Sequence, residues 1–256
     1  MTIDRGSLSQ YARLFISSML PGELERVLYL DCDTIIRKSI KGLWTIDLYG
    51  RTIGALMDAF SSYYRINIDL EENSIMFNSG VMLIDLKKWK EEKVENRLLE
   101  FIVRKNGQIQ QGDQGALNAV LSRDTYCFEP QYNSVTIFHD FSYDEMVIYR
   151  KPIMGFYSKE QVKEAVENPV VVHFTTSFLS VRPWTKGCGH RYAKEWMRYK
   201  EISPWREGTL WEDNRPCWEQ IGIGLLRKMP RRVVAIIAGI AQAYGRPIWK
   251  RIRGKS

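Results

Sequence analysis

The chain has 256 residues, 45% of them hydrophobic and 26% charged, which excludes a disordered protein and fits one large α/β domain or two small ones. The net charge is +7, from 37 Lys and Arg residues and 30 acidic residues. Residues 227–256 contain nine of the basic residues and none of the acidic ones, so this segment has a charge of +9 and the rest of the chain has a charge of −2. The four widely spaced cysteines disfavour metal fingers and disulfide scaffolds and favour a reducing cytosol. The first ten residues lack the apolar core expected of a signal peptide, and no apolar run is long enough for a membrane span.

The first half of the chain alternates a helix with short apolar runs. Hydrophobic spacing predicts a helix over residues 9–20 that ends at Pro21-Gly22. The run 27–30 is typical of a strand buried on both faces, as in a parallel sheet. Further strands are predicted over residues 52–57 and 81–84, each bordered by Asp or Gly.

The second half continues this alternation. A helix is predicted over residues 86–105, with Asp85 as its N-cap and Gly107 just past its end. A second helix follows over residues 113–121, and a late strand covers residues 170–172. The order predicts an α/β sheet with helices on its faces, and ligands bind such sheets where strands end.

Two carboxylates and an imidazole follow predicted strands directly. Asp31 and Asp33 follow the run 27–30, and side chains two residues apart on an extended segment project to the same side. Desolvated carboxylates repel each other, and Mg²⁺ or Mn²⁺ would relieve that repulsion. His173 follows the late strand, and its nitrogen favours Mn²⁺. The alternatives are a solvated loop for the aspartates and a structural role for the histidine.

Three other polar segments border predicted elements. Residues 77–80, Phe-Asn-Ser-Gly, are interpreted as a tight turn before a strand. Asp113 opens a predicted helix and is a natural N-cap. Arg182, before Pro183 and Trp184, offers a cation that suits a phosphate or a solvated surface equally well.

Five blocks stand in a fixed order between about residues 5 and 200. They are Tyr11-Ala12-Arg13-Leu14, Val27-Leu28-Tyr29-Leu30-Asp31-Cys32-Asp33-Thr34, Phe77-Asn78-Ser79-Gly80-Val81-Met82-Leu83-Ile84 with Lys87-Lys88-Trp89, Asp113-Gln114 with Leu117-Asn118, and His173-Phe174 with Arg182-Pro183-Trp184. In order and spacing these blocks resemble glycosyltransferase family 8, whose members are retaining enzymes with the GT-A nucleotide-sugar-binding fold. The resemblance implies a mixed α/β sheet with helices on both faces.

The resemblance also implies a donor site for a UDP-sugar. Asp31, Asp33 and His173 would hold Mn²⁺, with Mg²⁺ as the second candidate, against the two phosphates of the donor. The implied substrate-binding residues are Arg13, Asn78, Ser79, Asp113, Gln114 and Arg182, and the implied catalytic residues are Gln114, Asp113 and Asp58. Gln114 matches the residue nearest the anomeric carbon; as a weak nucleophile it favours a front-face mechanism over the usual two-carboxylate scheme.

Two features depart from the family pattern. The family has its first strand and much of its nucleotide-binding surface before the block at Tyr11, but only ten residues precede it here. The resemblance therefore implies an N-terminally truncated domain over residues 1–200 and a C-terminal helical extension over residues 201–256. Such a chain is expected to be a fragment, to come from a mis-started reading frame, or to need another polypeptide that completes it. In addition, Arg182 stands where the family has lysine, after a longer insert.

The basic tail, residues 227–256, combines cations with apolar residues. Pro230 and Pro247 bracket a predicted helix, Arg231–Arg246. Cations flanking an apolar stretch favour association with an anionic membrane surface, and a helix packed on the domain is the alternative. No nucleic-acid recognition motif accompanies the tail, so nucleic acid is not an expected partner.

The sequence thus predicts a Mn²⁺-dependent retaining glycosyltransferase that moves glucose or galactose from a UDP-sugar to a glycan or glycolipid acceptor. Its expected role is surface polysaccharide or lipo-oligosaccharide synthesis, and its expected location is the cytoplasm, peripheral on the inner face of the plasma membrane. The alternatives are a catalytically inactive remnant or sugar-binding module, and a metal-dependent phosphohydrolase that uses the same carboxylates.

Overall fold

A computed structural model describes residues 8–252 of the chain. Its strands are β1 (Arg26–Leu30), β2 (Thr34–Ile36), β3 (Ile53–Met57), β4 (Phe77–Asp85), β5 (Thr125–Cys127), β6 (Ser134–Val135) and β7 (Val171–His173). Its α-helices are α1 (Ile16–Met19), α2 (Lys41–Trp44), α3 (Ser62–Ile66), α4 (Leu86–Glu91), α5 (Val94–Arg104), α6 (Gly112–Leu121), α7 (Thr136–Asp140), α8 (Tyr143–Arg150), α9 (Lys159–Glu167), α10 (Ala193–Glu201), α11 (Cys217–Lys228), α12 (Arg231–Ile240) and α13 (Arg246–Ile252). Three 3₁₀ segments cover Leu8–Phe15, Ser122–Asp124 and Pro130–Asn133, and a π turn, Ala241–Gly245, joins α12 to α13.

The strands form two mixed sheets. In the first, ordered β1-β4-β3-β5, β4 is antiparallel to β1 and β3, and β5 is parallel to β3. In the second, ordered β2-β7-β6, β7 is antiparallel to β2 and parallel to β6. Met82 and Ile84 of β4 pack in a core with α4, α5 and α6, whereas Val81 packs in a core with α7, α8 and α9. Because side chains alternate along a strand, these cores lie on opposite faces, and the predicted mixed α/β fold is confirmed.

β1 differs from its prediction as a strand of a parallel sheet buried on both faces. It is antiparallel to β4, it lies at an edge of the first sheet, and its five residues are all partly exposed. Asp31 N donates to Gly80 O of β4. In an antiparallel pair, every second residue bonds to the partner strand through its backbone N–H and C=O groups, and the residues between them turn these groups away. The backbone N–H and C=O groups of Arg26, Leu28 and Leu30 therefore point away from β4. No described strand pairs with that side. A hollow of about 670 Å³ beside it is lined by apolar side chains that include Leu28 and Leu30.

The predicted helices occur, with differences inside them. The helix predicted over residues 86–105 begins as expected, because the Asp85 carboxylate accepts a hydrogen bond from Lys88 N at 2.9 Å. It is divided into α4 and α5, since Lys93 adopts a left-handed conformation with φ of 49°. The helix predicted over residues 9–20 is a 3₁₀ segment followed by the single turn of α1.

Near the C-terminus, α12 packs against α8. Val234 and Ala235 of α12 are fully buried. Gly239 lies so close to α8 that a Cβ atom there would come within 2.9 Å of Ile148 O. α12 therefore agrees with the alternative prediction, in which a helix of the tail packs on the domain.

The predicted helix Arg231–Arg246 is longer in the structure. Helical backbone continues through the π turn to Ile252, and Pro247 is the second residue of α13. Proline cannot donate a backbone hydrogen bond, and the π turn before it accommodates this interruption. Arg253 and Lys255 of the predicted tail lie outside the described residues. None of the helices in residues 8–252 is long and apolar enough to cross a membrane.

Candidate functional site

Asp31, Asp33 and His173 meet between the two sheets, where β1 ends, β2 begins and β7 ends. One ligand atom from each lies within 4.8 Å of the others. His173 Nε2 is 3.1 Å from Asp33 Oδ1 and 3.8 Å from Asp31 Oδ2. The two aspartates lie on the turn between β1 and β2 rather than on the extended segment that was predicted, and both face the imidazole.

Backbone contacts with the neighbouring strands fix this turn. Asp31 N donates to Gly80 O of β4 at 2.7 Å, and Phe174 N donates to Asp33 O at 2.9 Å. A Cβ atom at position 80 would lie 2.0 Å from His173 Cε1 and 2.9 Å from Asp31 Oδ2. Gly80 therefore leaves the space that the imidazole and the first aspartate occupy.

A chain of hydrogen bonds sets which nitrogen of His173 faces the aspartates. Gly80 N donates to Asn78 Oδ1 at 3.0 Å, and the same oxygen accepts from Asn133 Nδ2 at 3.0 Å. Asn133 Oδ1 then lies 3.0 Å from His173 Nδ1. Because a carbonyl oxygen can only accept, Nδ1 donates to Asn133, and Nε2 is the nitrogen that faces the two aspartates.

The three groups fit a divalent cation. Two carboxylates and the Nε2 atom of an imidazole face one another, which is the donor set of a mixed oxygen–nitrogen metal site. With bonds of about 2.1 Å, neighbouring ligands of an octahedral site lie about 3 Å apart, close to the 3.1 Å between His173 Nε2 and Asp33 Oδ1. Asn133 supplies the outer hydrogen bond that a metal-bound histidine ordinarily has.

Arg13 joins this candidate metal site to the start of α6. Its guanidinium donates to Asp31 Oδ1 at 3.1 Å, to Ser79 O at 2.9 Å and to Asp113 Oδ2 at 2.5 Å. Burial alone would lower the pKa of Arg13, but the two carboxylates raise it above its ordinary value, so the cation persists. Asp113 is the second residue of α6, and its carboxylate binds Arg13 instead of capping the helix as predicted.

The start of β4 is a bulge, not the tight turn predicted for residues 77–80. Ala55 of β3 pairs with Met82, whereas the next residue, Leu56, pairs with Asn78. The residues of β4 between these two pairs are therefore displaced from the ladder with β3. A bulge changes the direction of its side chains, and this one lies at two of the predicted substrate-binding residues, Asn78 and Ser79.

Two further predicted residues contact the bulge. Asn78 Nδ2 lies 3.4 Å from Asp58 Oδ2, and Ser79 N and Oγ each lie 3.3 Å from Gln114 Oε1. Burial raises the pKa of Asp58, although Arg150 nearby lowers it in part. Asp58 is joined to the bulge through the amide of Asn78.

Arg182 contacts the second oxygen of one candidate ligand. Its Nη1 pairs with Asp33 Oδ2, and its Nη2 donates to Thr176 Oγ1 at 3.0 Å. The guanidinium also lies 5.2 Å from the centroid of the Trp184 ring, a cation–π contact. The contact with a phosphate that the resemblance implies stays a prediction.

The structure brings the predicted site residues into one connected group. Its members are Arg13, Asp31, Asp33, Asp58, Asn78, Ser79, Asp113, Gln114, His173 and Arg182. Sequence reasoning missed the positioning roles of Asn133 and Gly80. Asn133 ends a 3₁₀ segment with no periodic pattern, and Gly80 was interpreted only as a turn residue.

The family model for glycosyl transferase family 8 matches residues 2–188, which include the whole connected group. The chain belongs to glycosyl transferase family 8. This confirms the resemblance that the five sequence blocks indicated.

Relatives within family 8 are similar over most of this chain. General stress protein A of Bacillus subtilis (strain 168) is 27% identical over 198 residues, 76% of this chain and 65% of the relative. Lipopolysaccharide 1,2-glucosyltransferase of Escherichia coli (strain K12) is 27% identical over 207 residues, 79% of this chain and 57% of the relative. The chain thus spans less than two thirds of the length of either relative.

A solved structure supports the fold of this family 8 chain. The crystal structure of the galactosyltransferase LgtC in complex with donor and acceptor sugar analogs aligns with a TM-score of 0.64 and 24% identity. The alignment covers 77% of this chain and 68% of LgtC. This likeness shows that the chain has the predicted GT-A fold.

Proposed function

We propose that the chain is a Mn²⁺-dependent retaining hexosyltransferase that moves glucose or galactose from a UDP-sugar to a glycan or lipid-linked saccharide. Its role would be the synthesis of surface polysaccharide or lipo-oligosaccharide. The observation that carries the proposal is the convergence of Asp31, Asp33 and His173 beside the Arg13–Asp113 pair. Family 8 membership supports glycosyl transfer, and the glucosyltransferase and galactosyltransferase among the similar proteins support a hexose.

Different residues would bind different parts of the donor. A divalent cation held by Asp31, Asp33 and His173 would supply Lewis-acid stabilisation of the departing diphosphate. Arg182 adds a positive charge at the same place, suited to a phosphate oxygen. Arg13 fixes the Asp113 carboxylate, so that it can accept hydrogen bonds from the hydroxyls of the donor sugar.

Asp113, Gln114 and Asp58 are the proposed residues at the reacting sugar. Gln114 is a weak nucleophile, which favours a front-face displacement. The bond from the anomeric carbon to the phosphate oxygen breaks, and the acceptor oxygen bonds to that carbon on the same face. The acceptor proton passes to the departing phosphate oxygen, so charge and atoms balance.

The test incubates the full chain with UDP-glucose or UDP-galactose and Mn²⁺ and measures UDP by chromatography. Slow UDP release without an acceptor is expected, and Asp33→Ala and His173→Ala should abolish it. Glu23→Ala, an exposed carboxylate outside the connected group, is the matched control. If neither donor binds nor turns over, the proposal is wrong. Release of glucose from glucose 1-phosphate without UDP would instead identify a phosphohydrolase.

A catalytically inactive remnant or sugar-binding module is the second candidate, and the exposed edge of β1 favours it. Leu28 and Leu30 line the hollow beside this edge, with which no described strand pairs. This candidate predicts saccharide binding without affinity for UDP or release of it. Calorimetric titration with UDP and Mn²⁺ separates it from the hexosyltransferase.

We also propose that residues 201–256 form an extension whose basic tail, 227–256, holds the protein on the inner, anionic face of the plasma membrane. The exposed apolar residues of α12 are Val233, Ile236, Ile237 and Ile240. Arg231 and Arg232 lie at the start of the same helix. An apolar helix face bordered by cations suits an anionic lipid surface, and this location would bring a cytoplasmic enzyme to a lipid-linked acceptor.

Vesicle flotation tests this location with the full chain, because α12 is packed on the body. The chain should float with vesicles of phosphatidylcholine and phosphatidylglycerol, and less so at high salt. The double variant Ile237→Ser/Ile240→Ser should float poorly. Ile202→Ser, at an exposed isoleucine that lies at the end of α10 and outside α12, is the control. Equal flotation of all three forms would contradict the proposal.

A further inference from the structure

A groove adjoins the candidate metal site. It has a volume of about 470 Å³ and is lined by residues of two segments, 176–185 and 211–216. Arg182 lines it and also pairs with Asp33, so the groove opens beside the three candidate ligands. The segment 211–216 lies beyond the residues that match family 8. We call this feature the Trp211 groove.

Hydrogen bonds hold the two walls of the Trp211 groove together. Trp211 N donates to Trp184 O, and Lys186 N donates to Trp211 O, each at 2.8 Å. Elsewhere along the groove, Arg215 Nη1 donates to Phe178 O at 3.1 Å. These hydrogen bonds therefore fix the positions of the two walls, and the shape of the groove does not depend on the conformations of mobile side chains.

The charges that line the Trp211 groove largely cancel. Arg215 Nε lies 2.9 Å and 3.0 Å from the two carboxylate oxygens of Asp213. This partner lowers the pKa of Asp213, so its carboxylate stays ionised and can accept hydrogen bonds. Arg182 and Glu212 add one charge of each sign. A lining with balanced charge disfavours a strongly anionic ligand and suits a neutral one.

The remaining lining has the chemistry that binds sugar rings. Hydroxyl groups come from Thr176, Ser177 and Thr185, and an amide comes from Asn214. The Trp211 indole is 65% exposed. A pyranose offers C–H groups to an aromatic face and hydroxyls that both donate and accept, which hydroxyl, amide and carboxylate groups satisfy.

We propose that the Trp211 groove binds a neutral sugar ring of the acceptor glycan. This inference rests on the proposed function, because front-face transfer brings the acceptor to the side of the donor that carries the departing phosphate. Arg182 marks that side, and the groove begins there. Asp113 and Gln114 belong to the donor side, so Trp211 and Asn214 select the acceptor without binding the donor.

The test compares the full chain with the variants Trp211→Ala and Asn214→Ala. Trp205→Ala is the control, because Trp205 is 76% exposed and does not line the groove. The first readout is retention of each form on a printed glycan array with UDP and Mn²⁺. The second is hydrolysis of UDP-glucose and UDP-galactose without an acceptor. Thermal unfolding verifies that each variant is folded.

Both groove variants should lose array binding by roughly tenfold or more, while their donor hydrolysis stays within about twofold of the unaltered chain. The control should match the unaltered chain in both readouts. The groove proposal is overturned if the unaltered chain retains no saccharide, if the groove variants bind as well as it does, or if donor hydrolysis falls in parallel with binding. Failure of the proposed function is a different outcome, in which no form releases UDP whatever the array records.

Discussion

Asn133 determines which nitrogen of His173 faces the other two candidate ligands. Its Oδ1 lies 3.0 Å from Nδ1 of the imidazole, and its Nδ2 is held by Asn78 Oδ1. Asn78 is in turn oriented by Gly80 N, which can only donate. The backbone N–H group of Gly80 thus fixes the orientation of the His173 ring through two side chains, Asn78 and Asn133. Asn133 is therefore a positioning residue.

Replacing Asn133 tests this role. Asn133→Ala should weaken Mn²⁺ binding by roughly 10- to 100-fold, the usual effect of removing an outer partner of a metal ligand. Asn133→Asp keeps an acceptor for Nδ1 but loses the donor to Asn78 Oδ1, so it should restore only part of the affinity. The measurement is an electron paramagnetic resonance titration of free Mn²⁺. Equal affinity of the alanine variant and the unaltered chain would disprove the positioning role.

Gly80 is the second residue on which the geometry of the site depends. In Gly80→Ala the new Cβ would lie 2.0 Å from His173 Cε1, so the imidazole or β4 must move. We expect Mn²⁺ binding to be lost in the same titration. Gly222→Ala in α11 is the matched control, because its Cβ would have no neighbour within 4 Å. Retention of Mn²⁺ affinity by Gly80→Ala would contradict the close approach.

At the scale of elements, the sequence predicted the features that depend on contacts between residues close together in the chain. The Asp85 cap was predicted because its carboxylate bonds to an amide three residues away. The interruption at Lys93 was not, since lysine has no preference for the left-handed conformation found there. The exposure of β1 was also missed, because an apolar run has the same appearance at an edge as in the centre of a sheet.

The candidate site was predicted in two different ways. Asp31, Asp33 and His173 were recognised from position, because polar residues that follow strands gather at the edge of a sheet. The grouping of Arg13 with Asp113 came from the family resemblance, and no spacing rule joins residues a hundred positions apart. Asn133 and Gly80 were missed because their roles depend on contacts that exist only in the folded chain.

Two imidazoles, His190 buried and His139 partly buried, join α7 to the segment that follows β7. The rings of His139 and His190 are 4.8 Å apart. His139 Nε2 lies 2.9 Å from Ser134 Oγ, and His190 Nδ1 accepts from Tyr192 N at 3.2 Å. Burial lowers the pKa of His139 to about 3 and that of His190 to about 4. Both rings are therefore neutral in the folded protein at neutral pH.

This pair predicts a loss of stability in mild acid. In the unfolded chain the imidazoles ionise near their ordinary pKa of 6.5, so below that pH the unfolded state binds more protons. Stability is fully present above about pH 6.5 and falls toward pH 4, by up to about 1.4 kcal/mol per pH unit for each group. Urea unfolding at a series of pH values measures the slope.

The matched variant for this measurement is His139→Gln/His190→Asn. The glutamine amide introduced at position 139 can donate to Ser134 Oγ, and the asparagine oxygen introduced at position 190 can accept from Tyr192 N, while neither new side chain titrates. The free energy of unfolding of this variant should depend less on pH between 6.5 and 4. The same slope in both proteins would show that the imidazoles do not cause the acid sensitivity.

At the scale of the whole molecule, the C-terminal helices are joined to the site through α3. Ser61 Oγ donates to Ala243 O at 2.6 Å, and Asn67 Nδ2 donates to Pro247 O at 3.0 Å. Ser61 follows Asp58 of the connected group by three residues. The exposed apolar face of α12 and the candidate site therefore belong to one packed body, so a membrane bound to that face would fix the direction in which the site opens.

A single substitution can test the contact between α12 and α8. In Gly239→Ala the new Cβ would lie 2.9 Å from Ile148 O and 3.2 Å from Tyr149 Cα, both of them backbone atoms. Since backbone cannot swing aside as a side chain does, α12 must shift, and we expect a loss of about 1–3 kcal/mol in the free energy of unfolding.

Gly224→Ala in α11 is the control for this change, because its Cβ would have no neighbour within 4 Å. Alanine is a better helix former than glycine, so this variant should gain about 0.5–1 kcal/mol. Urea denaturation of the full chain measures both effects, and their opposite signs separate crowding at the contact from helix propensity. If Gly239→Ala is as stable as Gly224→Ala, α12 does not pack on α8, and the apolar face of α12 would have no fixed orientation relative to the site.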